Sequence, residues 1–415
     1  MSAAESRSQL EAAAHRARMV VASPGAHRAR ATAVVFGSSL SSGLAIVSFS
    51  ASGRYLIDEL GLDSEAYGRI FLPQLTFAVL GGLLGGGITE RLGAKATLGL
   101  VLLCESLAMA ALYVAGWNHY ALLLVATALY GFSFGVAGGP WSVYPPSLFP
   151  KAKSSAIASV YTVFGLGLTV GPLLVHVATS HGRWPVAPLG ICAGAACGLL
   201  LLAVTKMPDA SADAAMHAVE RPSLDRVVVG LFLAASFFYA TIEASIANWA
   251  VTFLTGEQRL SSEDASVALA TFFGAFTGGR LMTSIVIRKV APLRLWALLP
   301  GAMLFSLLAL PLATTPERAV LIYGVAGLAC SGHFPLSMAL SSEYVGASAS
   351  ARVSSWMFAA LMAGVGLGAY FVGLMHAYAS MARAYQLLII SPVILLGVAI
   401  VLRGRSQATE GTSHV

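Results

Sequence analysis

Twelve runs of about 20 mainly apolar residues, separated by short stretches that collect Gly, Pro and charged residues, constrain this chain more than any other feature. A run of that length is what one α-helical crossing of a bilayer requires. Inside lipid each backbone N–H and C=O must be satisfied within its own segment, so such runs cross as helices. They cover approximately 32–57, 66–89, 96–116, 120–144, 154–178 and 186–205, then 227–254, 264–287, 293–313, 318–341, 352–377 and 384–402. Between the sixth and seventh lies a polar stretch with Asp209, Asp213, Glu220 and Arg221. The expected fold is an all-α membrane protein of twelve transmembrane helices in two pseudo-symmetric six-helix bundles. Its expected parts are a cytoplasmic tail (1–30), a first bundle (31–205), a cytoplasmic linker (206–225), a second bundle (226–403) and a second cytoplasmic tail (404–415).

Composition agrees. The 25 Lys+Arg and 19 Asp+Glu make 44 charges in 415 residues, 11%, against 57% hydrophobic residues. Soluble domains carry about 25% charged residues, so a soluble globule is excluded, as is a disordered chain, which needs low hydrophobicity and high charge. The net charge of +6 does not point to nucleic acid, because the basic residues fall between the apolar runs and there set topology. With the N-terminus inside, one side holds 18 of the 25 Lys and Arg, the other side holds 6 (Arg54, Arg69, Arg183, Arg259, Arg318, Arg383), and Arg280 lies within a run. That bias predicts a multi-pass protein of the cell inner (plasma) membrane with both termini cytoplasmic. Cys104, Cys192, Cys197 and Cys330 all sit inside apolar runs, where free Cys behaves as a small hydrophobe; neither disulfide, metal nor cofactor is expected.

The halves echo one another at an offset of about 194 residues: Gly86 maps onto the Gly278-Gly279-Arg280 cluster, and Pro140 lands beside Pro335. Internal repeats of this kind are a transporter signature, with a solute site near the midplane between them. The end of run 2 reads Gly86-Gly87-Ile88-Thr89-Glu90-Arg91-Leu92-Gly93-Ala94-Lys95: a small residue for close helix approach, a carboxylate at a helix end, and basic residues facing the cytoplasm. It resembles the loop signature of the major facilitator superfamily, with Glu90 where that pattern usually has Asp. The resemblance implies the twelve-span fold, rocking of two halves around a central cavity lined by runs 1, 4, 7 and 10, and outer supports in runs 3, 6, 9 and 12. Gly86, Glu90, Arg91, Gly93 and Lys95 are its gating or structural positions.

Run 5 carries Gly165, Gly167, Gly171 and Pro172, small residues that let helices approach and a tolerated Pro. It resembles the run-5 motif of exchangers and drug exporters in this superfamily, although Val175 and His176 stand where further glycines are common. Run 7 holds Ser236, Tyr239 and Glu243 at i, i+3 and i+7, one face of a helix, followed by Asn248 and Trp249. A carboxylate inside a span is a functional candidate by default. With Gly278, Gly279 and Arg280 in run 8, this pattern resembles the fucose-permease-like branch, whose members import sugars with protons. It departs from that branch in lacking a buried carboxylate in runs 1 and 4; mutual neutralisation of Glu243 and Arg280 is the plainer alternative.

Tyr130, Phe134, Trp141 and Tyr144 form one stripe in run 4, interrupted by a kink expected at Gly138-Gly139-Pro140; aromatic faces suit sugar rings or cationic and aromatic solutes, and equally suit packing. His333 in run 10 is a candidate proton relay, or a helix contact. Glu105 in run 3 reads as structural, and Arg54 as an interfacial residue that snorkels. Substrate-binding candidates are thus Tyr130, Trp141, Tyr239, Glu243, Asn248 and His333, with Glu243 and His333 as proton-coupling groups.

No nucleophile elbow, phosphate loop or metal-spaced His/Cys cluster marks an enzyme. The expected activity is secondary active transport of a small, sugar-like or other polar solute, coupled to protons or another ion, by a monomer in the lipid bilayer. Proton-antiport export of a drug or metabolite is one alternative, and a non-transporting membrane sensor is another.

Overall fold

A computed structural model describes residues 24–52, 56, 59–62, 66, 69–115, 119–180, 185–208, 225–376 and 378–412. Arg54 and residues 209–224 of the expected linker lie outside the described residues. Among the described residues twelve helices are long and apolar enough to cross a membrane: α1 Pro24–Ala51, α2 Phe71–Leu92, α3 Ala94–Ala115, α4 Tyr120–Leu148, α5 Lys153–Ser180, α6 Val186–Val204, α7 Arg226–Gly256, α8 Ser262–Val286, α9 Pro292–Leu312, α10 Pro316–Gly346, α11 Ala349–Met375 and α12 Met381–Arg405. No strand occurs among the described residues. The bundle carries exposed Leu83, Leu84, Leu200, Val204, Leu298 and Ile400 on its flanks, the apolar surface a bilayer covers.

Several boundaries differ from expectation, and the last helix continues to Thr412 through residues 404–412 of the expected second tail. Helix α1 begins at Pro24, so residues 24–30 of the expected tail form its first turns; Pro is well placed at a helix start, where its missing N–H costs nothing. Helix α4 runs unbroken through Pro140, Pro145 and Pro146, so the expected interruption does not end the helix. Neighbouring helices re-satisfy what a proline frees in a packed membrane bundle.

The helices run alternately up and down. The α2–α3, α4–α5, α8–α9 and α10–α11 junctions therefore share one end of the bundle, the end that collects Arg91, Lys95, Lys151, Arg288, Lys289 and Arg352. Two of these junctions are very short because a glycine there adopts a left-handed backbone that other residues resist: Gly93 at φ 85° and Gly346 at φ 73°. Gly93 N–H also closes α2 on the Thr89 carbonyl at 3.0 Å.

Within each half the packing is set by missing side chains. On α4, Gly131, Gly135 and Gly139 recur every fourth residue; a Cβ there would collide with the Gln74 carbonyl, the Ala78 carbonyl and the Thr89 hydroxyl of α2. The reciprocal face of α2 carries Gly81 and Gly85, whose Cβ atoms would strike Phe132 and Val136 of α4. The second half repeats the device, with Gly327 of α10 against the Phe272 carbonyl of α8. Likewise α1 and α5 meet at Gly43 and Gly167, and α7 and α11 meet at Gly364 and Gly368. Lipid tails give helices no hydrophobic reason to associate, so close backbone approach and dispersion hold them.

Gly135→Leu, which would drive a side chain into the α2 backbone, is expected to lower the thermal stability of detergent-solubilised protein by the equivalent of about 1–3 kcal/mol. Gly87→Leu, whose added Cβ has nothing within 4 Å, should leave it nearly unchanged. Equal effects of the two would refute the close-approach account.

Candidate functional site

The two halves face each other across α2·α11, α5·α8, α4·α11 and the α5 contacts with α10 and α11, while α1 and α7 are not among the packed pairs of described residues. At mid-depth this contact surface is aromatic. Trp141 stands edge-on to Tyr161 at 6.2 Å and to Phe358 at 6.1 Å, Phe134 meets Phe358 at 5.1 Å, and Tyr161 meets Phe334 at 5.6 Å. Phe358 of α11 thus sits in a cage built by α4, α5 and α10.

Trp141 is fully buried and donates its Nε1–H to Ser38 Oγ of α1 at 3.0 Å. Tyr130, stacked on Phe134 at 6.1 Å, donates to the Ser42 carbonyl at 2.9 Å. The run-4 stripe is therefore real as a spatial row, with its polar tips tied to α1.

The second wall comes from α7, α8 and α10. Glu243 lies one turn beyond Tyr239 on α7, next to that phenol and within electrostatic range of Arg280, and no ion pair closes between the two among the described residues. The Tyr239 hydroxyl is buried without closing a hydrogen bond. Arg280 is 6% exposed and reaches across to the other half: its Nη1–H donates to the Tyr161 carbonyl of α5 at 3.3 Å, and its guanidinium lies 4.1 Å from the centre of the Phe276 ring and 6.0 Å from that of Phe164. A buried arginine needs a carboxylate, a carbonyl or an aromatic face, and here it has the carbonyl and two aromatic faces, with the Glu243 carboxyl in electrostatic range. Arg280 is consequently a tie between halves as well as a neighbour of Glu243.

His333 is fully buried between the Trp296 ring at 4.9 Å and the Tyr239 ring at 5.4 Å, both stacked on it. Neither ring nitrogen has a hydrogen-bond partner. Trp296 belongs to α9, so His333 points into the second bundle, and its neighbour Phe334 faces the other half. Asn248 is exposed and, five residues past Glu243, lies about 140° around α7 from it; it is not part of the cluster.

The loop signature divides its labour at the basic end. Gly86 lets α2 touch the backbone of α11 at Arg352, and Glu90 forms an ion pair with Arg352. Lys95 turns the other way and donates to the Thr205 carbonyl at 2.8 Å and the Ala203 carbonyl at 3.4 Å, capping the last turn of α6. Arg91 is exposed, and Gly93 supplies the turn. Across the related α5·α8 seam, Ser155 Oγ donates to the Ser284 carbonyl at 2.8 Å, and Ser154 donates to Glu343 of α10. Gly167 and Gly171 pack on Leu40, Gly43 and Val47 of α1, inside the first half, whereas Gly165 faces Arg280. Pro172 continues the α5 backbone.

Arg352, Tyr161, Phe164, Phe334 and Phe358 are the residues that sequence reading did not single out. Arg352 was visible only as one basic residue in a loop; the aromatics carry no spacing signal that separates them from ordinary packing.

Twelve antiparallel spans among the described residues, in two six-helix halves that meet around an acid–arginine–aromatic centre and are joined by an ion pair at one end, are the architecture of a membrane transporter rather than an enzyme. The chain belongs to the Major Facilitator Superfamily, whose family model matches residues 31–326. Among solved structures it is similar to the proton:xylose symporter XylE bound to 6-bromo-6-deoxy-D-glucose (TM-score 0.76, 14% identity, 92% of this chain and 96% of that one). It is also similar to the E. coli fucose:proton symporter FucP (0.70, 14%, 89% and 99%) and to the human organic anion transporter MFSD10 (0.69, 16%, 90% and 99%). A facilitated trehalose transporter, Tret1 of Culex quinquefasciatus, is 33% identical over 112 residues, which span 26% of this chain and only 20% of that relative.

The Glu90–Arg352 pair, with 31% and 41% of its side chains exposed, is worth at most about 1 kcal/mol. Glu90→Ala should therefore raise the population open at the basic end by up to about fivefold. Spin-label distances between the α2–α3 and α10–α11 junctions would show it. The charge-swapped pair Glu90→Arg with Arg352→Glu should restore the closed population; failure of the swap alongside an effect of both single changes would refute a latch.

Proposed function

We propose that this protein carries a small polar, sugar-like solute across the cell inner membrane by alternating access, as a monomer, with proton coupling at Glu243. The supporting observation is that Glu243 lies within electrostatic range of Arg280, whose guanidinium donates to the Tyr161 carbonyl of α5 in the opposite half. Neutralising the acid changes what holds that arginine, and so biases the contact between halves, which is how a local charge event acts on a two-state element. Tyr239 and Trp141, the expected binding residues nearest this surface, offer a phenol and an indole face of the kind that stacks on sugar rings. The sugars in the names of XylE, FucP and Tret1 support the same solute class.

The basic end is cytoplasmic by the distribution of Lys and Arg, with both termini on that side, so the latched state is closed to the cytoplasm. His333, enclosed by Trp296 and Tyr239, is a secondary coupling candidate. A second reading, proton-antiport export of a drug or other metabolite, draws on the apolar aromatic surface of Phe134, Phe164, Phe334 and Phe358 and on the Gly167–Pro172 run.

In proteoliposomes with an imposed pH gradient, a panel of monosaccharides, disaccharides, carboxylates and amines should show accumulation of a sugar. Glu243→Gln, which keeps the shape of a protonated carboxyl, should abolish gradient-driven accumulation and retain counterflow exchange. Undiminished accumulation in that variant would remove Glu243 from coupling, and gradient-driven efflux of an aromatic solute without sugar uptake would favour the export reading.

A further inference from the structure

A cavity of about 610 Å³ lies away from the contact between halves, inside the first bundle, walled by α1, α5 and α6 with Leu102 of α3 beneath. Its shape follows from sequence. Gly190, Gly194 and Gly198 recur every fourth residue on α6, the spacing that elsewhere in this molecule brings helices together, yet Cβ atoms at Gly190 and Gly194 would have nothing within 4 Å. The same is true of Gly37 on the facing wall of α1. These glycines hollow out a space rather than seat a helix. Val177, Val186 and Gly190 at its rim are exposed, so it opens sideways to the bilayer.

One wall of this apolar space is polar. Ser41 lines it, is 9% exposed, and has a hydroxyl with no hydrogen-bond partner. That hydroxyl lies beside the Glu105 carboxyl without closing a bond to it. Glu105 is fully buried; its Oε2 accepts from Ser42 Oγ at 2.6 Å, and its Oε1 has no partner. The groups that act on this carboxyl are the Ser41 and Ser42 hydroxyls and the neighbouring Tyr130, none of them a cation. An acid at membrane depth ordinarily finds a base, a carbonyl or a water-filled space, and Glu105 has spare acceptor capacity behind Ser41, the residue that separates it from the lipid-accessible cavity.

We propose that this cavity is a binding site for a lipophilic monoamine that enters from the bilayer. The ammonium group donates to Glu105 Oε1 and Ser41 Oγ, and the apolar body lies along the glycine face of α6. Charge-assisted hydrogen bonds of this type are the strong ones, and an amine supplies both the donors and the charge that the site lacks; an alcohol supplies one donor and no charge. The cavity opens on the lipid side of the first bundle, with a lining from α1, α3, α5 and α6, and it meets the aromatic row only from behind, where Ser38 and Ser42 accept from Trp141 and Tyr130.

The test uses the full-length protein in lipid nanodiscs and two photoreactive probes, a diazirine-bearing dodecylamine and the matching dodecanol, with labelled peptides mapped by mass spectrometry. The amine should label 33–44 and 186–201 about tenfold more than the alcohol. That excess should disappear in Glu105→Gln and also in Gly194→Leu, which fills the cavity without touching the acid and so reports even if the buried glutamine variant folds poorly. Equal labelling by the two probes would mean that lipid chains merely fill the space and would overturn the proposal, as would an amine signal that survives either substitution.

Discussion

Backbone approach between helices, permitted by glycines spaced every fourth residue, is the constraint on which the rest of this structure depends. In water an amphipathic stripe would drive helices together, but in hydrocarbon the outside of a helix is as well solvated by lipid as by its neighbour. What remains is dispersion at short range, and it falls steeply with small gaps. The Gly131, Gly135 and Gly139 row on α4, set against Gly81 and Gly85 of α2, is therefore the equivalent of a packed core. On the same helix α2, Gly82 and Gly86 serve the opposite half by letting α11 in at Ala359 and Arg352. One short glycine-rich segment thus builds a half and mates it to the other.

The few charges inside this frame acquire their roles from where the glycines put the helices. Arg280 lies against Gly165 of α5; it donates to the Tyr161 carbonyl, rests on two phenyl rings and stays in electrostatic range of Glu243. Glu90 and Arg352 are ordinary surface charges by exposure; they matter because each belongs to a different half. A weak interaction placed across the seam between two halves can shift a balance between conformations that stronger interactions, made inside one half, leave untouched.

Much of this was legible in the chain itself. The twelve spans and the two halves follow from run length and the repeat offset, and the cost of burying charge singles out Glu243 and Arg280 as candidates. His333 and Asn248 show the limit of that reading. Both occupy helices expected to line the cavity, yet one is clasped between Tyr239 and Trp296 inside the second bundle and the other is exposed on another face of α7. Periodicity says which residues share a face; it does not say what that face meets. Glu105, read as structural, lies behind Ser41, which lines a cavity that exists because α6 spends its glycines on an opening rather than on a contact.

By itself the sequence determined that this is a membrane-spanning helical protein with a recognisable loop signature, since apolar run length and charge placement are properties of each segment alone. Only the tertiary structure decided the partnerships: Arg352 for Glu90 across 262 residues, Tyr161 for Arg280 across 119, and α6 for Lys95. The physical reason is that such contacts depend on how closely two distant backbones approach. That distance is set jointly by glycines on both helices, so neither segment encodes it alone.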